Sequence, residues 1–239
     1  MDYREVIKKA CAEGRQLIPE YEAYTVCASF GIPYPETRFV RSRREAEKAG
    51  EELGYPLVIK IVSPEIVHKS DVGGVIVGIR DQEELRTGYD KLTAHVTEKL
   101  GIVPIDGVLV QKEMAKGVEV VVGGIRNEEF GPVVMFGSGG ILIEVFKDVS
   151  FRMVPMEKEE ALRQMEETQA YKILNGVRGA KACNLDALAD LIVNAGKLLS
   201  EIPEIDELDF NPVLAYPDGC VVVDARMVLS KTLRHGTFL

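Results

Sequence analysis

Ile59-Lys60-Ile61-Val62-Ser63-Pro64-Glu65-Ile66-Val67-His68-Lys69-Ser70-Asp71-Val72-Gly73-Gly74-Val75 sets a lysine late in an apolar run, then a histidine, then paired glycines. Leu57 to Val62 has the length and β-branched content of a buried strand, and Ser63-Pro64 turns the chain out of it. Lys60 is a point charge suited to phosphate oxygens. His68 is the one side-chain type that is nucleophilic and half neutral near physiological pH. Gly73-Gly74 can bring bare backbone N–H groups close to an anion. Singly, each has an ordinary reading as a solvated lysine, a surface histidine or turn glycines. Their coincidence in one loop points to phosphate chemistry.

Working outward, Thr37 to Val40 reads as a short strand, and Ser42-Arg43-Arg44-Glu45 caps a helix through Leu53 that Gly54 ends. Val75 to Ile79 reads as a strand, Asp81 to Leu100 as a helix with a capping acid, and Gly107 to Lys112 as another strand. Upstream, Tyr3 to Arg15 and Glu20 to Phe30 carry helical spacing, the second stopped by Gly31-Ile32-Pro33. Downstream, Val118 to Ile125 pairs with Pro132 to Phe136 as antiparallel hairpin material. Helical patterns return at Lys158 to Gln169 and Leu185 to Leu199. Two strands, Glu207 to Leu214 and Cys220 to Asp224, flank a Pro-Asp-Gly turn. Strands and helices without strict alternation predict an α+β fold rather than a doubly wound sheet.

The chain has 239 residues, enough for one large domain or two small ones. A net charge of −9 argues against nucleic acid or an anionic membrane as the main ligand. No apolar run spans a bilayer, and Met1-Asp2-Tyr3-Arg4-Glu5-Val6 is charged where a signal peptide would be apolar, so a cytoplasmic protein is expected. Cys11, Cys27, Cys183 and Cys220 lack zinc-site spacing and read as buried reduced thiols, with no disulfide. Of the other two histidines, His95 and His235, both read as solvated.

Three further groups carry chemistry. Glu113 and Glu119 flank the polar connector after Gln111; a connector can present backbone to an adenine edge and a carboxylate can accept both ribose hydroxyls, although taken alone the two glutamates read better as a solvated face. Asp209 and Asn211 alternate on one strand and so share a face, and Asp224 on the next strand can join them. Such hard oxygens suit Mg²⁺, and they also suit a strand edge with polar caps. Phe136-Gly137-Ser138-Gly139-Gly140 lacks the Gly-Lys-Ser/Thr ending of a P-loop and reads as a tight turn.

In this order, Lys60, Glu113, Glu119, Asn211-Pro212 and Asp224 resemble an ATP-grasp nucleotide-binding fold. Gly54-Tyr55-Pro56-Leu57-Val58-Ile59-Lys60, Val67-His68-Lys69-Ser70-Asp71-Val72-Gly73-Gly74-Val75, Phe136-Gly137-Ser138-Gly139-Gly140 and Asp148-Val149-Ser150-Phe151-Arg152 are similar to the β subunit of ADP-forming acetyl-CoA synthetases. The resemblance implies two α+β subdomains with the nucleotide bound between them. Residues 23–110 would carry the His68 loop, and 1–22 with 111–239 the hinge and the Mg²⁺ site.

It also implies a reversible conversion of acyl-CoA, ADP and phosphate to acid, ATP and CoA. His68 would be the catalytic residue, relaying phosphate to ADP from a histidine on a CoA-binding α subunit in an α2β2 assembly. Lys60, Gly73 and Gly74 would meet nucleotide phosphates, Glu113 and Met114 the adenine, and Glu119 the ribose. Asn211 and Asp224, with Asp209 as a third group, would bind Mg²⁺. Ser63-Pro64 and Gly73-Gly74 would then serve as hinges of a moving segment. Two other readings remain: a stand-alone ATP-grasp ligase or kinase acting on a carboxylate, which leaves His68 idle, and a non-catalytic nucleotide-sensing module.

Overall fold

The computed structural model describes residues 2–66, 69–101, 103–140, 148–177 and 179–230. In chain order the first part runs α1 Tyr3–Ala12, β1 Leu17–Ile18, α2 Glu20–Ser29, β2 Thr37–Val40, α3 Arg43–Leu53, β3 Leu57–Val62, a 3-10 turn Ser70–Val72, β4 Val75–Ile79, α4 Gln82–Leu100 and β5 Gly107–Lys112. The rest runs β6 Val118–Asn127, β7 Gly131–Ser138, β8 Val149–Met153, α5 Lys158–Glu166, α6 Gln169–Leu174, α7 Leu185–Glu201, β9 Ile205–Tyr216, β10 Gly219–Val222 and β11 Ala225–Leu229. The chain divides into two compact units, residues 35–115 and residues 1–34 with 116–239. The division therefore falls after Tyr34 and Ala115 rather than after residues 22 and 110. Part of the reason is that Tyr24 on α2 donates its hydroxyl to Val223 O at 2.5 Å, beside β11.

In unit 35–115, four antiparallel strands lie in the order β2-β5-β3-β4. Leu57, Ile59 and Ile61 alternate onto one face with Val108, Val110 and Ile79, and α3 and α4 cover that face. The helices contribute Ala46, Ala49 and Leu53, and Leu85, Leu92 and Val96, spacings that repeat on a helical period. Each large side chain so buried stabilises the unit by about 1.5–3 kcal/mol. Both helices start at side-chain caps: Ser42 Oγ accepts from Glu45 N at 3.3 Å, and the Asp81 carboxylate from Glu84 N at 2.8 Å. Glu45 and Glu84 in turn accept from Arg41 N and Arg80 N, one residue further back than in a capping box. Gly54 ends α3 at φ +69°.

The other unit holds a seven-stranded antiparallel sheet, β1-β11-β9-β6-β7-β8, with β10 also paired to β9. Helix α7 covers one face through Leu188, Leu191, Ile192, Ala195, Leu198 and Leu199. The approach is close: a Cβ on Gly124 of β6 would come 2.3 Å from Leu199 Cδ1. The expected helix at residues 158–169 is two helices, broken after Glu166. The segment at 220–224 ends as a strand at Val222, and β11 follows it. Strands β1, β8 and β11 and helix α6 are additions to the sequence reading. β7 runs through Ser138, so the glycine-rich turn begins only at Gly139.

Candidate functional site

In unit 35–115, Lys60 alternates with the core residues Ile59 and Ile61, so its side chain leaves the sheet on the face away from α3 and α4. It is only 3% exposed, which rules out the solvated reading. Below it the chain closes on itself. Gly74 N donates to Lys69 O at 2.7 Å, and Ile61 N donates to Gly74 O at 2.8 Å. A Cβ on Gly74 would lie 2.6 Å from Ile61 Cγ2, and one on Gly73, at φ +68°, 2.7 Å from the His95 ring. The paired glycines are thus a tightly packed joint. His95 is exposed, but its ring lies against that joint, and Lys99 Nζ donates to Asp71 O at 2.6 Å. Val67 and His68 lie outside the described residues, as does His235.

Glu113 ends the same sheet. Its N–H donates to Pro56 O at 3.1 Å, and its carboxylate accepts from Gly78 N on β4, also at 3.1 Å. Lys112 Nζ donates to Gly54 O and Tyr55 O, fixing the turn before β3. Met114, half-buried, follows in the connector.

In the second unit the remaining residues fall on one sheet face, opposite α7. On β6, Val120 and Val122 are buried, while Glu119, Gly123 and Ile125 alternate to the other side. Gly123 stands opposite Asp209 on β9. The β6–β9 register shifts between Val120 and Val122, so Asn211 and Pro212 form a bulge beside Val121. At that bulge Asn211 N donates to Asp224 O at 3.1 Å, which makes these two cross-strand neighbours. Ala225, Met227 and Leu229 of β11 are buried, so Arg226 and Val228 alternate outward and Arg226 stands opposite Asp209; Asp224, expected on a strand, lies in the bend just before β11. Asp209 and Asn211 do share a face. Among the described residues no group of three or more His, Cys, Asp and Glu side chains is placed to hold a metal ion.

Glu119, exposed on β6, lies beside the glycine-rich turn. Gly139 N donates to Glu119 O at 3.1 Å, and a Cβ on Gly139 would meet Glu119 C and O at 2.8 and 2.9 Å. A Cβ on Gly140 would stand 3.1 Å from Glu119 Oε2. The turn is tight, and its backbone packs on the Glu119 main chain with the Glu119 carboxylate beside Gly140.

The turn is anchored by Asp148, which sequence reasoning passed over. Ser138 Oγ donates to Asp148 Oδ2 at 2.5 Å, and Gln169 N and Ala170 N at the start of α6 donate to the same carboxylate at 2.8 and 3.1 Å. Burial raises the Asp148 pKa, but the Ser138 and backbone hydrogen bonds outweigh it, and the net shift is downward. Ser150 and Arg152 turn toward α5. Ser150 Oγ donates to Gln164 O at 2.8 Å, and Arg152 pairs with Glu160 and Glu167. Those carboxylates raise the Arg152 pKa.

Residues 9–229 match the model of the ATP-grasp domain. The chain is 48% identical to acetate–CoA ligase [ADP-forming] I subunit beta of Pyrococcus furiosus over 95% of this chain and 97% of that one. It is 41% identical to acetate–CoA ligase [ADP-forming] I of Archaeoglobus fulgidus over 95% of this chain but 33% of that one, so it spans a third of that longer polypeptide.

Among solved structures, acetyl-coenzyme A synthetase 1 of Ca. Korarchaeum cryptofilum, bound to coenzyme A and Ca-AMPCP, superposes with a TM-score of 0.94 at 43% identity, covering 96% of this chain and 100% of the other. Other structures of that enzyme hold a phosphorylated phosphohistidine segment or Mg-AMPPCP. The chain belongs to the family of ADP-forming acetate–CoA ligase β subunits, built on the ATP-grasp domain.

Proposed function

We propose that this chain is the nucleotide-binding, phosphoryl-relay subunit of an ADP-forming, acetate-type acid–thiol ligase, working with a CoA-binding α subunit in an α2β2 assembly. The reaction converts acyl-CoA, ADP and phosphate to acid, ATP and CoA, reversibly. The observation that carries this reading is the polar row on one sheet face: Glu119 beside the glycine turn, then Asn211 with Asp224, then Asp209. A nucleotide laid along it would give its ribose hydroxyls to Glu119 and its phosphates to the Asn211–Asp224 pair.

Asn211, Asp224 and Asp209 offer the hard oxygen donors that Mg²⁺ takes, and their fit supports such an ion. Bound there, Mg²⁺ would neutralise phosphate charge during transfer. Lys60, held almost fully out of water, would act on phosphate oxygens with a charge that solvent screens weakly. Glu113 and Met114 would line the adenine; the N–H groups of Gly73 and Gly74, expected to meet phosphate, instead donate to Ser70 O and Lys69 O within their own turn, so that role falls to Lys60. A neutral His68 imidazole nitrogen would attack the phosphorus carried on the α subunit's histidine, forming one N–P bond as the other breaks. A β-phosphate oxygen of ADP would then take the group, making ATP and returning the imidazole.

Among the described residues no helix is long and apolar enough to cross a membrane, and all four cysteines are free thiols, which suits a cytoplasmic setting. The test uses the chain co-purified with its CoA-binding partner. γ-Labelled ATP with Mg²⁺ should leave acid-labile, alkali-stable phosphate on the assembly. His68→Ala should abolish turnover, and unchanged turnover would refute the relay.

A further inference from the structure

We infer that Arg226 binds the terminal phosphoryl group of the nucleotide, beyond the metal ligands along the same row; this rests on the nucleotide reading above. Arg226 projects from β11 two residues after Asp224 and stands opposite Asp209, which stands opposite Gly123. Arg226, Asp209 and Gly123 line a groove of about 250 Å³, with Met135 and Phe151 among its apolar walls. Within it the Arg226 Nε–H is shut off from water and has no hydrogen-bond acceptor. A buried guanidinium N–H without an acceptor is costly, and such groups are normally paired. An oxygen-rich anion in the groove would pair it, and the guanidinium fork matches phosphate geometry.

The order of residues says which phosphate. Glu119 and Gly123 are four residues apart on β6, about 13 Å along an extended strand. The Asn211 bulge lies between them. A nucleotide with its ribose at Glu119 and its diphosphate at the bulge would run its third phosphoryl group toward Asp209 and Arg226. Gly123 puts no side chain of its own into the groove, and its nearest neighbour on that side is the flexible end of Met135, whose Cε would lie 3.1 Å from a Cβ. In that position Arg226 would hold the charge spread over the equatorial oxygens while the group is in transit.

The experiment is calorimetric titration of the full chain, wild type and variants, with Mg²⁺ and either ADP or a non-hydrolysable ATP analogue. Arg226→Gln should weaken the triphosphate analogue about tenfold or more, the scale of one charge-assisted contact, and ADP by less than about twofold. Arg226→Lys, which keeps the charge but not the fork, should lose a smaller share of the same preference. If Arg226→Gln does not fold, Arg226→Lys alone decides, because an unchanged ratio of the two affinities overturns the assignment. Equal weakening of both nucleotides overturns it as well, since a merely structural role predicts that. A wild-type chain that binds neither nucleotide would overturn the nucleotide reading itself and this assignment with it.

Discussion

Asp148→Asn tests whether the glycine turn is held by one carboxylate. The wild-type group accepts three hydrogen bonds, from Ser138 Oγ at 2.5 Å and from Gln169 N and Ala170 N at 2.8 and 3.1 Å. Asparagine keeps the shape but offers one acceptor atom, so it loses at least one charge-assisted bond, worth about 1.5–3 kcal/mol. It also loses the interaction of a negative charge with a helix start, about 0.3–1 kcal/mol. The expected loss is about 2–4 kcal/mol, or about 4–16 °C in the Tm of a chain this size.

The pH dependence fixes the mechanism. Asp148 has a depressed pKa in the folded state, so its contribution is complete above the unfolded value, about 3.9, and is lost as pH falls through the folded value. The gap between wild type and Asp148→Asn should hold constant from pH 7 to 5 and narrow below about pH 4. Combining the change with Ser138→Ala should give a double-mutant coupling of about 1 kcal/mol or more. An unchanged Tm at pH 7, or strict additivity with Ser138→Ala, refutes the clasp.

Gly139→Ala forces a Cβ to within 2.8 Å of Glu119 backbone, which no rotamer change relieves. It should cost about 1–3 kcal/mol, with a parallel loss of nucleotide affinity if Glu119 moves; melting and titration of one preparation check both. The thiols give a third prediction. Burial raises the pKa of Cys27 far above the ordinary range, burial and then Asp190 push Cys220 up to about 12, burial and then Glu204 raise Cys11, and burial raises Cys183. Of the four thiols expected to be buried, Cys27 and Cys183 are buried while Cys11 and Cys220 are only half-buried; native chain at pH 8 should react slowly with a disulfide reagent and release all four thiols in denaturant, and rapid native labelling of Cys27 or Cys183 would contradict their burial.

Most of unit 35–115 was legible because its signals are local. Ser42, Gly54 and Asp81 mark helix ends within a residue of where they fall, and the 57–62 run is a strand buried at every position. β8 was missed because its pattern is inverted. Ser150 and Arg152 turn inward to Gln164, Glu160 and Glu167, while Phe151 and Met153 stand 53% and 62% exposed. Helix α6 is six residues long, and the carboxylate at its start comes from Asp148, twenty-one positions before Gln169, so no local cap announces it. Arg226 did carry a signal: it lies two residues after Asp224 in a run whose alternate members are apolar. Period 2 alone would have put it on the face already assigned to Asp224.

The adjacent glycines of β6 show why glycine in a strand cannot be assigned one meaning from sequence. Gly124 faces α7, where Leu199 Cδ1 fills the place a side chain would take, so its small size serves packing. Gly123 faces the opposite way, across from Asp209 and beside Arg226, where the nearest neighbour is the mobile end of Met135 and the space belongs to the groove. One strand thus places consecutive glycines on the core and on the groove face. Only the pairing register, which sets Gly123 against Asp209 and Gly124 against Leu208, tells them apart.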